Sequence, residues 1–325
     1  MGVRQQLGTA RRRLTELSDP EDRAARARVR RGLDLPPLPS SPGSRRSSKR
    51  GQSVWAVTMV KDEADIIGTT LLHLLDQDVD GILVADNGST DDTRAVIEQI
   101  ASTAPVYLAD DREPAYFQWH KMTRLAHWAR RAGAKWVIPF DADELWFAEG
   151  DTVAGHLRGS QAMAVRAAVF NVAPSGGETG IGDAVGWVMG RQPAEMSKVA
   201  FRPHPLMALS MGNHEIDRPG VETSGLGIAH LPYRSPAQFA RKVRTGAAAL
   251  EEVPGASGFH WRDLGSLPNE DLDRVWSDLL AGRAGQRVMW LPEGQLEPVD
   301  VFHWHTWGSD VSLVDPPALS QPSAL

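Results

Sequence analysis

The sequence predicts an α/β protein with a mostly parallel central sheet flanked by helices, preceded by a basic N-terminal extension that is helical or disordered. Three observations predict it. Between residues 54 and 140, four continuous apolar runs of strand length alternate with amphipathic stretches of helical period. The connections between them are short, as in an open parallel sheet with right-handed crossovers. Charge is divided unevenly: residues 1–51 carry 13 Lys and Arg against 5 Asp and Glu, a net +8, which leaves −14 for the rest of a chain whose total is −6.

The extension comes first. Val3, Leu7, Ala10, Leu14 and Leu17 form a short heptad stripe. Ser18-Asp-Pro-Glu21 has the form of a capping box opening a second, Arg-rich helix. The run from Leu35 to Arg50 is rich in Pro, Ser and Arg and predicts a linker. The arm, residues 1–51, is expected to be largely solvated, with residues 1–31 suited to docking on a protein or an anionic membrane surface. The body is expected over 52–315, with a tail at 316–325.

Within the body, Val54–Val60 is a buried strand, and the stretch from Ala64 to Leu75 a helix with Ile67, Leu71, Leu74 and Leu75 inward. Gly81–Asp86 is the second strand, followed by an Asn87-Gly88 turn and a helix carrying Val96, Ile97 and Ile100. A third strand is expected at Val106, a helix from Gln118 to Ala132, and a fourth strand from Trp136 to Phe140 that runs into Asp141-Ala-Asp-Glu144. Later helices are expected at Pro236 to Leu250 and Asn269 to Ala281, with short strands near Ala164 and Lys198.

Open parallel sheets bind ligands at the carboxyl ends of their strands. That rule selects residues 59–63, 86–90, 110–113 and 141–144, and all four places contain carboxylates. Asp141 and Asp143, one residue apart where a buried strand becomes a loop, can point at one hard cation. Such a cation is Mg2+ or Mn2+, which share their shell with phosphate oxygens. The chain has no cysteine, so a thiolate zinc site, an iron–sulfur cluster, a disulfide framework and a cysteine nucleophile are excluded. A G-x-G-x-x-G between the first strand and helix, which a dinucleotide oxidoreductase needs, is replaced by Met59-Val-Lys-Asp-Glu63.

Three segments carry a resemblance: Val57-Thr-Met-Val-Lys-Asp-Glu-Ala-Asp-Ile-Ile67, Val84-Ala-Asp-Asn-Gly-Ser-Thr-Asp-Asp-Thr93 and Trp136-Val-Ile-Pro-Phe-Asp-Ala-Asp-Glu-Leu145. In order and spacing they resemble the nucleotide-sugar-dependent glycosyltransferases of the family 2 type, and most closely a bacterial branch related to family 92. The segments around Lys198, Gly212-Asn-His214 and His230-Leu-Pro-Tyr-Arg-Ser235 resemble later parts of that branch more loosely. The resemblance implies a GT-A, Rossmann-like fold, with a nucleotide-sugar half at 52–146 and an acceptor half at 147–315. It implies a metal-dependent, inverting transfer from a nucleoside-diphosphate sugar to a hydroxyl acceptor. Met59, Val60 and Glu63 would hold the nucleoside; Asp86, with Asn87 beside it, would bond the base, uracil or guanine. Asp141 would contact the ribose or the metal shell, Asp143 would ligate Mn2+ or Mg2+, and His230 or, second, His214 would complete the shell. Lys121, Arg124 and Lys242 are candidate diphosphate or acceptor contacts. Glu178, Asp183 and Glu195 are open candidates for the general base.

Two other classes share these features: a non-catalytic nucleotide- or carbohydrate-binding scaffold, and a nucleotidyltransferase. The acidic body is expected not to bind nucleic acid. With no signal-type apolar run, the chain is expected in the cytoplasm, or peripheral at the inner face of the membrane.

Overall fold

The computed structural model describes residues 19–39, 52–175, 186–217, 222–251, 259–284 and 288–308. The heptad at Val3 to Leu17, most of the linker, Glu178, Asp183 and the tail from 309 lie outside them. Helices are α1 (Pro20–Gly32), α2 (Ile67–Asp76), α3 (Thr93–Ala101), α4 (Gln118–Arg131), α5 (Val153–Gly159), α6 (Pro236–Glu251), α7 (Phe259–Gly265) and α8 (Asn269–Leu280). Strands are β1 (Leu33–Asp34), β2 (Val54–Val60), β3 (Gly81–Asp86), β4 (Val106–Asp111), β5 (Trp136–Pro139), β6 (Glu144–Ala148), β7 (Ala164–Ser175), β8 (Gly186–Gln192), β9 (Lys198–Phe201), β10 (Ala208–Leu209), β11 (Ile216–Asp217), β12 (Glu222–His230) and β13 (Glu293–Val299). Among the described residues no helix is long and apolar enough to cross a membrane.

The main sheet runs β1-β4-β3-β2-β5-β9-β7-β12-β6, with β8 and β13 continuing from β7. β4, β3, β2 and β5 are parallel. β9 turns antiparallel against β5 and β7, whereas β12 is parallel to β7 and antiparallel to β6. From β2 the chain steps outward to β3 and β4, then returns to β2's other side as β5. That reversal opens a crevice between the carboxyl ends of β2 and β5, the switch point at which such sheets bind ligands.

β2 shows why the apolar runs are continuous. Val54, Ala56 and Val60 face one layer with Ile67, Leu71 and Leu74 of α2 and Ile97 of α3. Trp55 and Val57, pointing oppositely, join Met122, Leu125, Trp128 and Ala129 of α4. Both faces are covered, so no polar position is needed until the strand ends.

The arm departs from the solvated extension expected of it. Asp19 caps α1 by accepting from Asp22 N–H at 2.9 Å, with proline in the first turn. Ala25, Val29 and Leu33, four residues apart, are buried in the α4 layer. β1 pairs antiparallel with the end of β4. Arg28 forks onto Glu113 at 3.0 and 2.5 Å, Asp22 meets His120 at 3.0 Å, and Trp128 Nε1 donates to the Pro36 carbonyl at 2.8 Å. The reason is the edge of the sheet: β4 would otherwise present unpaired backbone groups, and α1 carries an apolar stripe short enough to escape notice among its arginines.

If this docking contributes to folding, Leu33→Ala removes a side chain that is 1% exposed and lowers unfolding stability by about 2–4 kcal/mol. Urea titration checks this; a solvated arm would give no change.

Candidate active site

The crevice is lined by the ends of β2, β3 and β5 on one side and by the exit of β12 and the start of α6 on the other. Pairing of β12 with β6 sets His230 opposite Glu144, and the Leu231 N–H donates to the Asp143 carbonyl at 2.9 Å. Asp143, on the β5–β6 turn, is thereby held beside residues ninety positions later. The turn is fixed from behind by Thr70, whose hydroxyl donates to the Ala142 carbonyl at 2.5 Å.

Asp143 is 4% exposed and surrounded by nitrogen. Its Oδ2 takes Lys242 Nζ and lies 3.8 Å from Arg234 Nη1, and its Oδ1 lies 3.7 Å from His230 Nε2. Burial opposes ionisation of this carboxyl, but the Lys242 ammonium and the Arg234 guanidinium outweigh it and hold its pKa well below the usual carboxylate range. His230 Nδ1 lies 2.9 Å from Asn171 Oδ1, and Asn171 is oriented by donating Nδ2 to the Leu291 carbonyl at 3.2 Å. Nδ1 therefore carries the hydrogen, and in the neutral ring Nε2 presents a lone pair to Asp143. Burial pushes the imidazole down to about 4 against the opposing pull of Asp143, so the ring is neutral at pH 7.

Arg234 is 1% exposed and ties the crevice across its width. Its guanidinium takes both oxygens of Asp65, at 2.7 and 3.0 Å, together with Glu63, and donates to the Leu231 carbonyl at 3.0 Å. Glu63, expected to hold the nucleoside, is thus engaged by Arg234; burial raises its pKa against that pairing.

Asp141, half-buried, faces β9 and the Asn213 loop. Lys198 Nζ reaches Asp141 Oδ2 at 2.6 Å and Glu144 Oε1 at 2.9 Å, and Asn213 Nδ2 reaches Asp141 Oδ1 at 3.3 Å. Burial would discharge Lys198, but Asp141 and Glu144 keep it protonated and push its pKa above its ordinary value. Burial pushes Glu144 up to about 7, against the pull of Lys198.

At the base end, Asp86 is buried, with Oδ1 accepting from Ser89 N–H at 3.0 Å and Oδ2 lying 3.5 Å from Arg94, which also holds Asp110 at 2.6 Å. Val60 accepts from the Asn87 N–H at 2.9 Å, and the Asn87 amide donates to the Asp111 and Glu113 carbonyls at 3.2 and 2.8 Å. Asn87 therefore ties β3 to the β4 loop. Met59 is half-buried against the α4 layer.

Three expected contacts sit elsewhere. Lys121 is fully buried, bonded to Asp111 at 2.7 Å and to the Glu113 carbonyl at 2.6 Å, so it braces a loop and does not present itself to a diphosphate. Arg124 donates to the Leu33 carbonyl at 3.3 Å and belongs to the arm's docking face. His214 Nδ1 donates to the Ser197 carbonyl at 2.9 Å, and a methyl group at Gly212 would collide with its Nε2, so this ring packs on its own loop. His303 and His305 pair separately with Asp300 and Asp76, both at 2.7 Å. Glu195 is exposed on the β8–β9 connection, three residues before Lys198.

Sequence reasoning gave no role to Lys198 or Arg234. The signal was present in each case: a single cation in an otherwise apolar run, Lys198-Val-Ala-Phe201 and His230-Leu-Pro-Tyr-Arg234, which burial tolerates only when paired. Asn171 and Asn213 offered no comparable cue.

Residues 55–151 match the family model described as glycosyl transferase family 2. The match covers this segment alone, which ends just past β6. No curated protein sequence matches it. Among solved structures, it is similar to S. aureus TarS 1–349 in complex with UDP (13% identity, 70% of this chain and 72% of that chain, TM-score 0.38). It is also similar to glucosyl-3-phosphoglycerate synthase from Mycobacterium tuberculosis in complex with Mn2+, UDP and glucosyl-3-phosphoglycerate (20% identity, 38% and 45%, TM-score 0.28). A third likeness is to a mycobacterial protein (16% identity, 64% and 77%, TM-score 0.31). All three are distant.

The neutral His230 has a pH consequence. Its folded pKa of about 4 lies below the unfolded value near 6.5, so the unfolded chain binds the extra proton first. His230's contribution to stability is present above pH 6.5 and is lost as pH falls toward 4, by about 3 kcal/mol in all. His230→Gln should flatten the profile across that window, measured by urea unfolding from pH 7 to 4; parallel profiles would contradict it.

Proposed function

We propose that the protein transfers a sugar from a nucleoside-diphosphate sugar to a hydroxyl acceptor, with inversion and with the help of Mn2+ or Mg2+. The observation that carries this is the pair formed by Asp143 and His230 at the switch-point crevice: a buried carboxylate oxygen and a proton-free imidazole nitrogen facing each other at 3.7 Å. Two lone pairs opposed in a buried site are relieved by a cation. Among the described residues no group of three or more His, Asp or Glu gathers for a metal. Two protein donors suit an ion that takes its remaining ligands from phosphate and water, and a mixed oxygen and imidazole set favours Mn2+ over Mg2+. When bound, that ion would supply Lewis-acid stabilisation of the departing diphosphate.

The chain's own residues divide the remaining work. Asp86 accepts from the imide N–H of uracil or guanine, in a slot walled by the β2 end. Asp141, steadied by Lys198 and Asn213, is a half-buried carboxylate two residues from Asp143 and suits the ribose or the sugar. Arg234 fixes the β12 exit so that His230 stays opposed to Asp143. Glu195 takes the role of general base, withdrawing the acceptor hydroxyl proton as the bond to the anomeric carbon forms. The basic residues Arg23, Arg30 and Arg31, exposed on α1, suit peripheral attachment to an anionic surface, with the enzyme at work in the cytoplasm.

Thermal-shift screening of UDP, GDP and their sugars with Mn2+ tests the donor class. One base should stabilise the protein preferentially through linkage, and the matching sugar should be hydrolysed slowly. Binding without turnover of any donor would favour a scaffold. Asp143→Asn should lower metal-dependent turnover by at least about 10²-fold, with the circular dichroism spectrum unchanged. Glu195→Gln should lower kcat by roughly 10²–10⁴-fold while donor binding stays as in the wild type; loss of donor binding instead would move Glu195 out of the acceptor side.

A further inference from the structure

Asp143 is served by three nitrogens that differ in their freedom to leave. Arg234 is locked by Asp65, Glu63 and the Leu231 carbonyl. His230 is locked by Asn171. Lys242 is not: it stands on α6 at the end of a flexible four-carbon stem, its side chain 14% exposed, and among the described residues its ion-pair partner is Asp143 alone. Its ammonium lies 5.9 Å from the centre of the Trp290 ring, in the half-open part of the crevice. The same carboxylate that would ligate a divalent ion is therefore already neutralised by a univalent one.

A divalent cation on Asp143 cannot share it comfortably with Lys242. With Arg234 already met by Asp65 and Glu63, metal and Lys242 together would set three positive charges on one carboxylate. The diphosphate that accompanies the metal restores the balance, and it arrives within reach of a displaced ammonium. We propose that Lys242 exchanges partners during the cycle: it occupies Asp143 in the empty enzyme and moves to the nucleoside diphosphate when metal and donor bind. This rests on the metal-dependent transfer proposed above and adds a coupling to it. Lys242 opposes metal alone and favours metal with diphosphate, so the two ligands bind cooperatively, and each must strengthen the other by the same factor.

The test is equilibrium binding of Mn2+ to the full chain, read from the electron paramagnetic resonance of free Mn2+, without nucleotide and with saturating UDP or GDP. In the wild type the nucleotide should tighten Mn2+ binding by roughly fivefold or more. Lys242→Met keeps the stem and removes the charge: it should bind Mn2+ more tightly than the wild type without nucleotide and lose most of the nucleotide's effect. Lys242→Arg, which keeps the charge, should behave as the wild type and guards against a merely misfolded Met variant. Wild-type coupling that persists unchanged in Lys242→Met would overturn the exchange while leaving the metal-dependent transfer standing. Failure of the wild type to bind Mn2+ under any of these conditions would remove both.

Discussion

Everything in the crevice depends on how one buried carboxylate is kept charged. Asp143 lies at the junction of the parallel half of the sheet and the mixed half, where water cannot solvate it. The fold answers by bringing the cations Arg234 from the end of β12 and Lys242 from α6 to meet it, with the neutral His230 beside them. Removing one partner from such a buried cluster leaves an uncompensated charge and costs about 3–5 kcal/mol. The cluster is thus a condition on the path of the chain: β12 must run antiparallel to β6, in the register that sets His230 against Glu144, or the charges do not cancel. Site and topology are specified by the same contacts.

The second cluster, Asp141 with Lys198 and Glu144, works differently. Lys198 comes from β9, the first strand to run against the parallel set, and it binds two acids, Asp141 and Glu144, that would otherwise repel one another on either side of Asp143. Its ammonium holds Asp141 toward β9. The D-x-D therefore splits its duties: Asp143 is turned into the charge cluster under β12 and Asp141 into the one under β9. A single loop serves both sides of the crevice because each carboxylate has its own buried cation.

Most of the first half was legible in the sequence because its signals are local. Continuous apolar runs can be read as buried strands without knowing what covers them, and the bounds of β2 and β3 fall where the runs end. The carboxylates at strand ends were likewise visible, since a parallel sheet puts function there. His230 was legible only as a candidate, because its place beside Asp143 depends on pairing across more than eighty residues. Lys121 misled for a related reason: on α4 it looks like a free cation, and only the β4 loop folding over it supplies Asp111. The docking of α1 was hidden by composition. Its arginines dominate the count, yet the three small apolar residues between them decide where it sits.

The docking of α1 and β1 also bears on how the molecule behaves among its own copies. Without the arm, the outer strands of the main sheet's principal path would be β4 and β6. β1 pairs with the last two residues of β4, Asp110 and Asp111, and β6 is buried throughout, with the Trp307 N–H donating to the Ala148 carbonyl at its end. Segments from opposite ends of the described chain thus blunt the two rims of one sheet. A long sheet with open rims is a template on which identical chains add strand by strand. Here the arm's least conspicuous contribution is to cap the end of one rim: a chain without residues 19–39 would keep its crevice residues and offer its neighbours a longer open edge.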